Sequence, residues 1–172
     1  MSNIFFTADT HFNHTNIMKY CGRPFKTVED MNETIISRWN EIVTRGDLVY
    51  HLGDFSWSNG EYFKNRLLGN IILIKGNHDK DALRIKTKFA GIYDLKDIRY
   101  GEISITLCHY AMRVWNKSHF NAWHLFGHSH GTLAGQGKSM DVGVDSHGFT
   151  PISIEQVEKY IELLPDNFNL VR

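Results

Sequence analysis

The stretch Ile71-Ile72-Leu73-Ile74-Lys75-Gly76-Asn77-His78-Asp79 combines a short apolar run with three consecutive polar, ligand-type side chains. The run is short, apolar and closed by Gly, so it reads as a strand. It stops at a glycine, followed by an amide, an imidazole and a carboxylate. A helical pattern, Asp81 to Phe89, starts directly behind them, with Gly91 as its stop signal. A strand that ends in polar groups and feeds a helix is the unit of an open α/β sheet, where sites form beyond the carboxyl ends of the strands.

The same arrangement recurs along the chain. Apolar runs at Ile4 to Thr7, Leu48 to Leu52, Ile103 to His109, His124 to Phe126 and Met140 to Val144 are each closed by Gly or a ligand-type residue. Leu95 to Tyr100 pairs with the run at Ile103 across the turn Gly101-Glu102. Helical spacing marks Asp30 to Val43, with Thr27 or Asp30 as N-cap, then Glu61 to Leu68, and Ile154 to Leu164 ended by Pro165. Strand and helix alternate in the first half, and adjacent strands dominate the second. The expected class is α/β, with two facing sheets, helices outside, and one domain over residues 1–172.

Bulk properties exclude several function classes. At 172 residues, 42% apolar and 22% charged, the chain is long enough for a full core and is not disordered or fibrous. Nineteen basic residues balance nineteen acidic ones, which argues against a non-specific grip on nucleic acid or on an anionic membrane. Cys21 and Cys108 make no disulfide framework, and the opening Met1-Ser-Asn-Ile-Phe-Phe lacks the features of a signal peptide. No apolar window is long enough for a membrane span, so the expected setting is reducing and cytoplasmic.

Ten histidines are an excess for this length, and they cluster with Asp, Asn and Gly at the ends of the apolar runs. Asp9-Thr10-His11 places two donors on one side of an extended segment. Asp54 follows Gly53, where the backbone can bend and present a carboxylate able to bridge two cations. Asn77 offers a neutral, hard oxygen, and His78 beside Asp79 reads as a general acid with a carboxylate partner. His109 closes its run alone, and Gly127-His128-Ser129-His130-Gly131 holds two imidazoles between glycines. Asp47 reads as a turn residue and His51 as a satisfied core histidine. His119, His124 and His147 read as structural or surface groups, and Asp145 as structural rather than a ligand.

Taken together, these clusters resemble the calcineurin-like metallophosphoesterase superfamily. That family carries Asp-x-His, Gly-Asp, Gly-Asn-His-Asp/Glu, His and Gly-His-x-His in this chain order. The match runs from Asp9 to His130, about two-thirds of the chain. The segments Asp9 to His14 and Tyr50 to Phe55 look closest to small, single-domain bacterial or phage-type members. The resemblance implies a four-layer α/β/β/α sandwich of two mixed sheets. It also implies a dinuclear centre, with Asp9, His11, Asp54 and His130 on one metal and Asp54, Asn77, His109 and His128 on the other.

By the same resemblance the activity is hydrolysis of a phosphodiester or phosphomonoester by a metal-bridging hydroxide. His78 would protonate or stabilise the leaving group, and Asp79 would orient it. The N/O donor set without thiolates fits two divalent ions from among Mn, Fe, Zn, Co and Ni, and the resemblance puts Mn first. His14, Arg23 and Arg113 are candidates for contact with the substrate phosphate. The expected partner is a small phosphate ester, with no stable nucleic-acid partner, no membrane and no obligate protein partner. The competing readings are a nuclease or cyclic-nucleotide phosphodiesterase, and a non-catalytic metal-binding or scaffold protein. The aromatics of the two longest loops, Phe12, Tyr20, Phe25, Trp115 and Phe120, are expected to pack.

Overall fold

The computed structural model describes residues 2–171. Among these residues nine strands form two sheets. In the first, β1 (Ile4–Thr7), β2 (Leu48–His51), β3 (Asn70–Ile74) and β4 (Gly91–Tyr93) run parallel, and β9 (Ile152–Ser153) joins β1 antiparallel, giving the order β4-β3-β2-β1-β9. In the second, β5 (Leu95–Tyr100) pairs antiparallel with β6 (Ile103–Cys108). Strands β7 (Trp123–Phe126) and β8 (Ser139–Asp141) continue it in parallel, in the order β5-β6-β7-β8. Both sheets are therefore mixed, as expected.

Period-two alternation sorts side chains between two cores. On one face of the first sheet Phe5, Val49, Ile71 and Leu73 pack against Met31, Ile35, Ile36 and Trp39 of helix α2 (Val28–Ile42) and Phe63 of α3 (Gly60–Arg66). On the other face Phe6, Tyr50, Leu52 and Ile74 meet Ile105, Leu107 and Leu125 of the second sheet. Fully burying one such side chain contributes roughly 1.5–3 kcal/mol. Both faces of β2 and β3 are covered, which is why these strands read as unbroken apolar runs.

Helix α2 starts where Thr27 accepts a hydrogen bond from the Asp30 N–H, a cap that contributes about 1 kcal/mol. The buried Trp39 indole donates to the Leu68 carbonyl. Helix α5 (Ile154–Glu162) begins with a capping box between Ser153 and Gln156 and turns Ile154, Val157 and Ile161 into the inter-sheet core. On the far face of the second sheet, Trp115 of the irregular segment 110–122 packs beside His124.

Three elements depart from the sequence reading. Gly91 does not merely stop a helix: the helix α4 is short (Lys80–Arg84), a 3-10 turn follows, and Gly91 opens edge strand β4. Residues 15–20 form a short helix, α1, inside what read as a loop. The two-residue β9 sits immediately before α5, where the helical pattern masked it.

Candidate metal centre

The polar clusters leave the C-terminal ends of β1, β2, β3, β6 and β7, and the fold brings them to one edge shared by the two sheets. Beyond β1 the chain stays tied to both sheets: Ala8 bridges to Gly143, and the Asp9 N–H donates to the Gly53 carbonyl. Asp9, His11 and His130 place one donor atom each within 4.8 Å of one another, and so do Asp54, His109 and His128. The Asp54 Oδ2 lies between the groups, 3.4 Å from His11 Nε2 and 3.6 Å from His109 Nε2. The Asn77 Oδ1 is 3.1 Å from the same His109 nitrogen. All seven side chains expected as ligands are thus brought together.

Backbone conformation shows how tightly they are held. Asp9, His11, Asp54, His128 and His130 all have positive φ, between 48° and 66°. A non-glycine residue in that region costs on the order of 1 kcal/mol or more, and such residues concentrate at functional sites. Glycine makes the close approach of the loops possible. A Cβ on Gly53 would come within 2.5 Å of His109 Nδ1 and 2.6 Å of the Gly76 nitrogen, and one on Gly76 within 2.9 Å of His109 Cε1.

Hydrogen bonds fix which ring atom of His109 and of His130 faces the cluster. His109 Nδ1 lies 2.7 Å from the Leu52 carbonyl and must donate to it, which leaves Nε2 as the lone-pair donor. His130 Nδ1 donates to Asp145 Oδ2 at 2.7 Å. Asp145 in turn accepts two bonds from Arg23 at 2.8 Å, and Arg23 also donates to the backbone carbonyls of Asp9 and Thr10. Such outer partners set ring orientation and donor strength. Asp9 Oδ2 accepts the His128 N–H, and Asp54 Oδ1 accepts the His78 N–H.

Of the buried side-chain atoms without a hydrogen-bond partner among the described residues, two belong to this cluster, Asp9 Oδ1 and His11 Nε2, and a bound cation would satisfy both. Burial, with Asp141 and Asp54 nearby, pushes the Asp9 carboxyl well above its usual range. Burial, with Arg23 and His130 close by, pushes His11 far below the usual imidazole range. Burial likewise lowers His109. A carboxylate without a counter-charge beside neutral imidazoles is the electrostatic condition a divalent ion relieves. The donor set, carboxylate, imidazole and amide, suits a transition-metal ion. A third grouping, Cys21, His130 and Asp145, shares His130, and its carboxylate is already paired with Arg23.

The family model described as calcineurin-like phosphoesterase matches residues 2–169. The chain belongs to the calcineurin-like phosphoesterase family. The uncharacterized protein MJ1445 of Methanocaldococcus jannaschii is 36% identical over 174 residues, covering 94% of this chain and 93% of that protein. The crystal structure of AQ665, a protein of unknown function from Aquifex aeolicus, superposes with a TM-score of 0.78 at 28% identity, covering 93% of this chain and all of that one. An archaeal phosphodiesterase shares the fold, with a TM-score of 0.51 at 17% identity over 82% of each chain.

Within this calcineurin-like phosphoesterase, three residues lie elsewhere than the sequence reading expected. Arg23 is buried and committed to Asp145, Asp9 and Thr10, so it positions the His130 side of the centre and does not face a substrate phosphate. Arg113 is exposed, with its guanidinium 5.9 Å over the Phe168 ring, and does not line the cleft at the centre. Asp79 does not orient the His78 ring. Its carboxylate accepts the N–H groups of Asp54, Phe55 and Gly76, locking the turn that carries Asp54.

Of the loop aromatics expected to pack, Phe12 and Trp115 are buried, but Tyr20 and Phe120 are exposed. His78 and His14 line the cleft, His14 with its Nδ1 3.4 Å from His11 Nδ1. Asp47 caps its turn, accepting from Thr44 and Asn3. His124 is held by the Thr106 and Tyr110 carbonyls. His51 is only half satisfied: Nε2 bonds Thr10 Oγ1 at 2.9 Å, and Nδ1 is buried without a partner among the described residues. Sequence reasoning missed Asp141, whose carboxylate accepts from Ser129, Gly131 and Gly143 and so shapes the His128–His130 loop. It also missed Trp57, which lines the cleft; in sequence it is a lone tryptophan two residues beyond Phe55.

Proposed function

We propose that this phosphoesterase hydrolyses small phosphodiesters or phosphomonoesters with two divalent ions, Mn first among them. Asp9, His11, Asp54 and His130 would hold one ion, and Asp54, Asn77, His109 and His128 the other. The observation that carries this reading is Asp54 Oδ2 set between His11 Nε2 and His109 Nε2, with the unpartnered Asp9 Oδ1 behind it. When bound, the ions supply an activated water and positive charge for phosphoryl oxygens.

The chain's own groups do the rest. His78 stands exposed at the cleft, its backbone N–H fixed on Asp54, so its ring can give a proton to the departing ester oxygen or stabilise its charge. Asp79 keeps the Asp54 carboxylate aimed by holding three backbone N–H groups. His14 packs against His11 and narrows the approach to the phosphate position. A reducing, cytoplasmic setting accords with the free cysteines Cys21 and Cys108. Among the described residues, no helix is long and apolar enough to cross a membrane.

The test is turnover of a chromogenic phosphodiester and its monoester by metal-stripped protein, with and without added Mn, beside Asp54→Asn. Mn-dependent hydrolysis that disappears in the variant is the expected result. Metal uptake without hydrolysis of either ester would overturn the reading in favour of a binding role.

A further inference from the structure

The cleft at the metal centre has a volume of about 270 Å³, and its lining falls into two chemical sets. One, the ligand wall, is His11, Asp54, His128 and His130. The other is aromatic and apolar, formed by Tyr20, Trp57, His14 and Ile17, with Asn16 beside them. Trp57 is 53% exposed and Tyr20 71% exposed, although large aromatic side chains gain most from burial.

Trp57 is nevertheless held firmly. One ring face stacks on His14 at 4.3 Å between centroids and 11° between planes. Its backbone N–H donates to Phe12, and the neighbouring Ser58 hydroxyl accepts from Asn13. The Tyr20 ring meets His14 edge-on at 6.4 Å. A pre-oriented, solvent-exposed aromatic surface beside a phosphate-binding centre matches the stacking platforms that hold bases without sequence preference. Asn16 adds an amide able to donate to and accept from a base edge.

We infer that Trp57 and Tyr20 form a base-stacking subsite and that the substrate is a small nucleotide-type phosphoester. The inference rests on the phosphoesterase reading above and names its substrate class. A cleft of about 270 Å³ is on the scale of a single nucleoside, and a net charge of zero provides no general attraction for a polyanion. Stacking on Trp57 would leave the phosphate at the ligand wall and the departing oxygen within range of His78, which also lines the cleft.

The experiment has a binding readout and a turnover readout. The other tryptophans, Trp39, Trp115 and Trp123, are buried, so Trp57 is the one a ligand in the cleft can quench directly. Metal-loaded protein is titrated with adenosine monophosphate and with glycerol phosphate while tryptophan emission is followed. Turnover is compared for thymidine p-nitrophenyl phosphate and methyl p-nitrophenyl phosphate in wild type, Trp57→Phe and Trp57→Ala. The expected result is saturable quenching by the nucleotide alone and a preference for the base-bearing ester of about ten- to a hundred-fold. That preference should collapse in Trp57→Ala and survive in Trp57→Phe.

Equal turnover of both esters without quenching sinks the subsite and leaves the phosphoesterase reading intact. Hydrolysis of neither ester, with nucleotide quenching retained, sinks the phosphoesterase reading and keeps the subsite. Affinity that climbs with strand length and falls with salt overturns the small-nucleotide assignment in favour of a nucleic-acid end.

Discussion

Asp9 and His11 sit almost wholly behind the protein surface, and the ring of His130 is anchored from behind by Asp145 and Arg23. Across Asp54, His109 is equally buried, but Asn77 and His128 are exposed to solvent. One half of the centre is therefore closed and backed by a buried ion pair. The other is open and presents donors that solvent can reach. Desolvation strengthens electrostatic attraction to a cation, and outer partners sharpen it further. The difference predicts two unequal sites, a tight one at Asp9, His11 and His130, and a weaker, faster-exchanging one at Asn77, His109 and His128.

Removing the carboxylate common to both halves should have the largest effect. Asp54→Asn is expected to lower metal-dependent turnover by at least about a thousand-fold and to weaken both binding phases in a calorimetric titration. Loss of a single phase would mean that Asp54 serves one half alone.

Arg23→Gln separates the halves. It leaves Asp145 buried without its cation and His130 without a fixed partner, so the tight phase should weaken about 10- to 100-fold while the weak phase holds. Equal weakening of both phases would break the comparison. Burial pushes Asp145 up, but its bonds from His130 and Arg23 outweigh that and hold it below the usual carboxylate range. Removing Arg23 should accordingly also cost folding stability, by about 3–5 kcal/mol.

Asp9→Asn addresses the closed half without metal. The folded Asp9 carboxyl is raised, so the stability it contributes is present below its unfolded value of about 3.9 and is lost as pH rises through the folded value. Metal-stripped Asp9→Asn should then melt above wild type at neutral pH, by the equivalent of about 1–3 kcal/mol, with the gap closing toward about pH 4. A gap that stays constant with pH would show that the carboxylate is not the cause.

The smallest effect concerns His51, whose ring bonds the Thr10 hydroxyl between Asp9 and His11. Burial pushes His51 down to about 3, so its contribution has the opposite sign: it is present above the unfolded value of about 6.5 and is lost as pH falls toward the folded one. Between about pH 6.5 and about pH 5.5, wild type should lose about 1 kcal/mol more stability than His51→Gln. Denaturant melts at the two pH values check it, and parallel loss in both proteins would count against it.

The sequence carried the seven clustered donors because each lies at the end of an apolar run, and strand ends converge wherever parallel strands share a sheet. It did not carry the pairing of Arg23 with Asp145, which are 122 residues apart and meet only after the two sheets close. Arg23 and Arg113 looked alike as free guanidinium groups, and only burial distinguishes them. Asp79 looked like a partner for the adjacent His78 ring, but the turn aims its carboxylate back at three N–H groups. The missed elements are short: α1, β4 and β9 hold their shape through neighbours, not through a periodicity of their own.

The left-handed backbone at residues 9, 11, 54, 128 and 130 has a consequence for how this protein would change under selection. Glycine adopts that conformation without steric cost, so each replacement there relieves strain in the metal-free chain. A laboratory population chosen for heat resistance alone, with no screen for turnover, should therefore drift toward glycine at those positions and lose its chemistry one donor at a time.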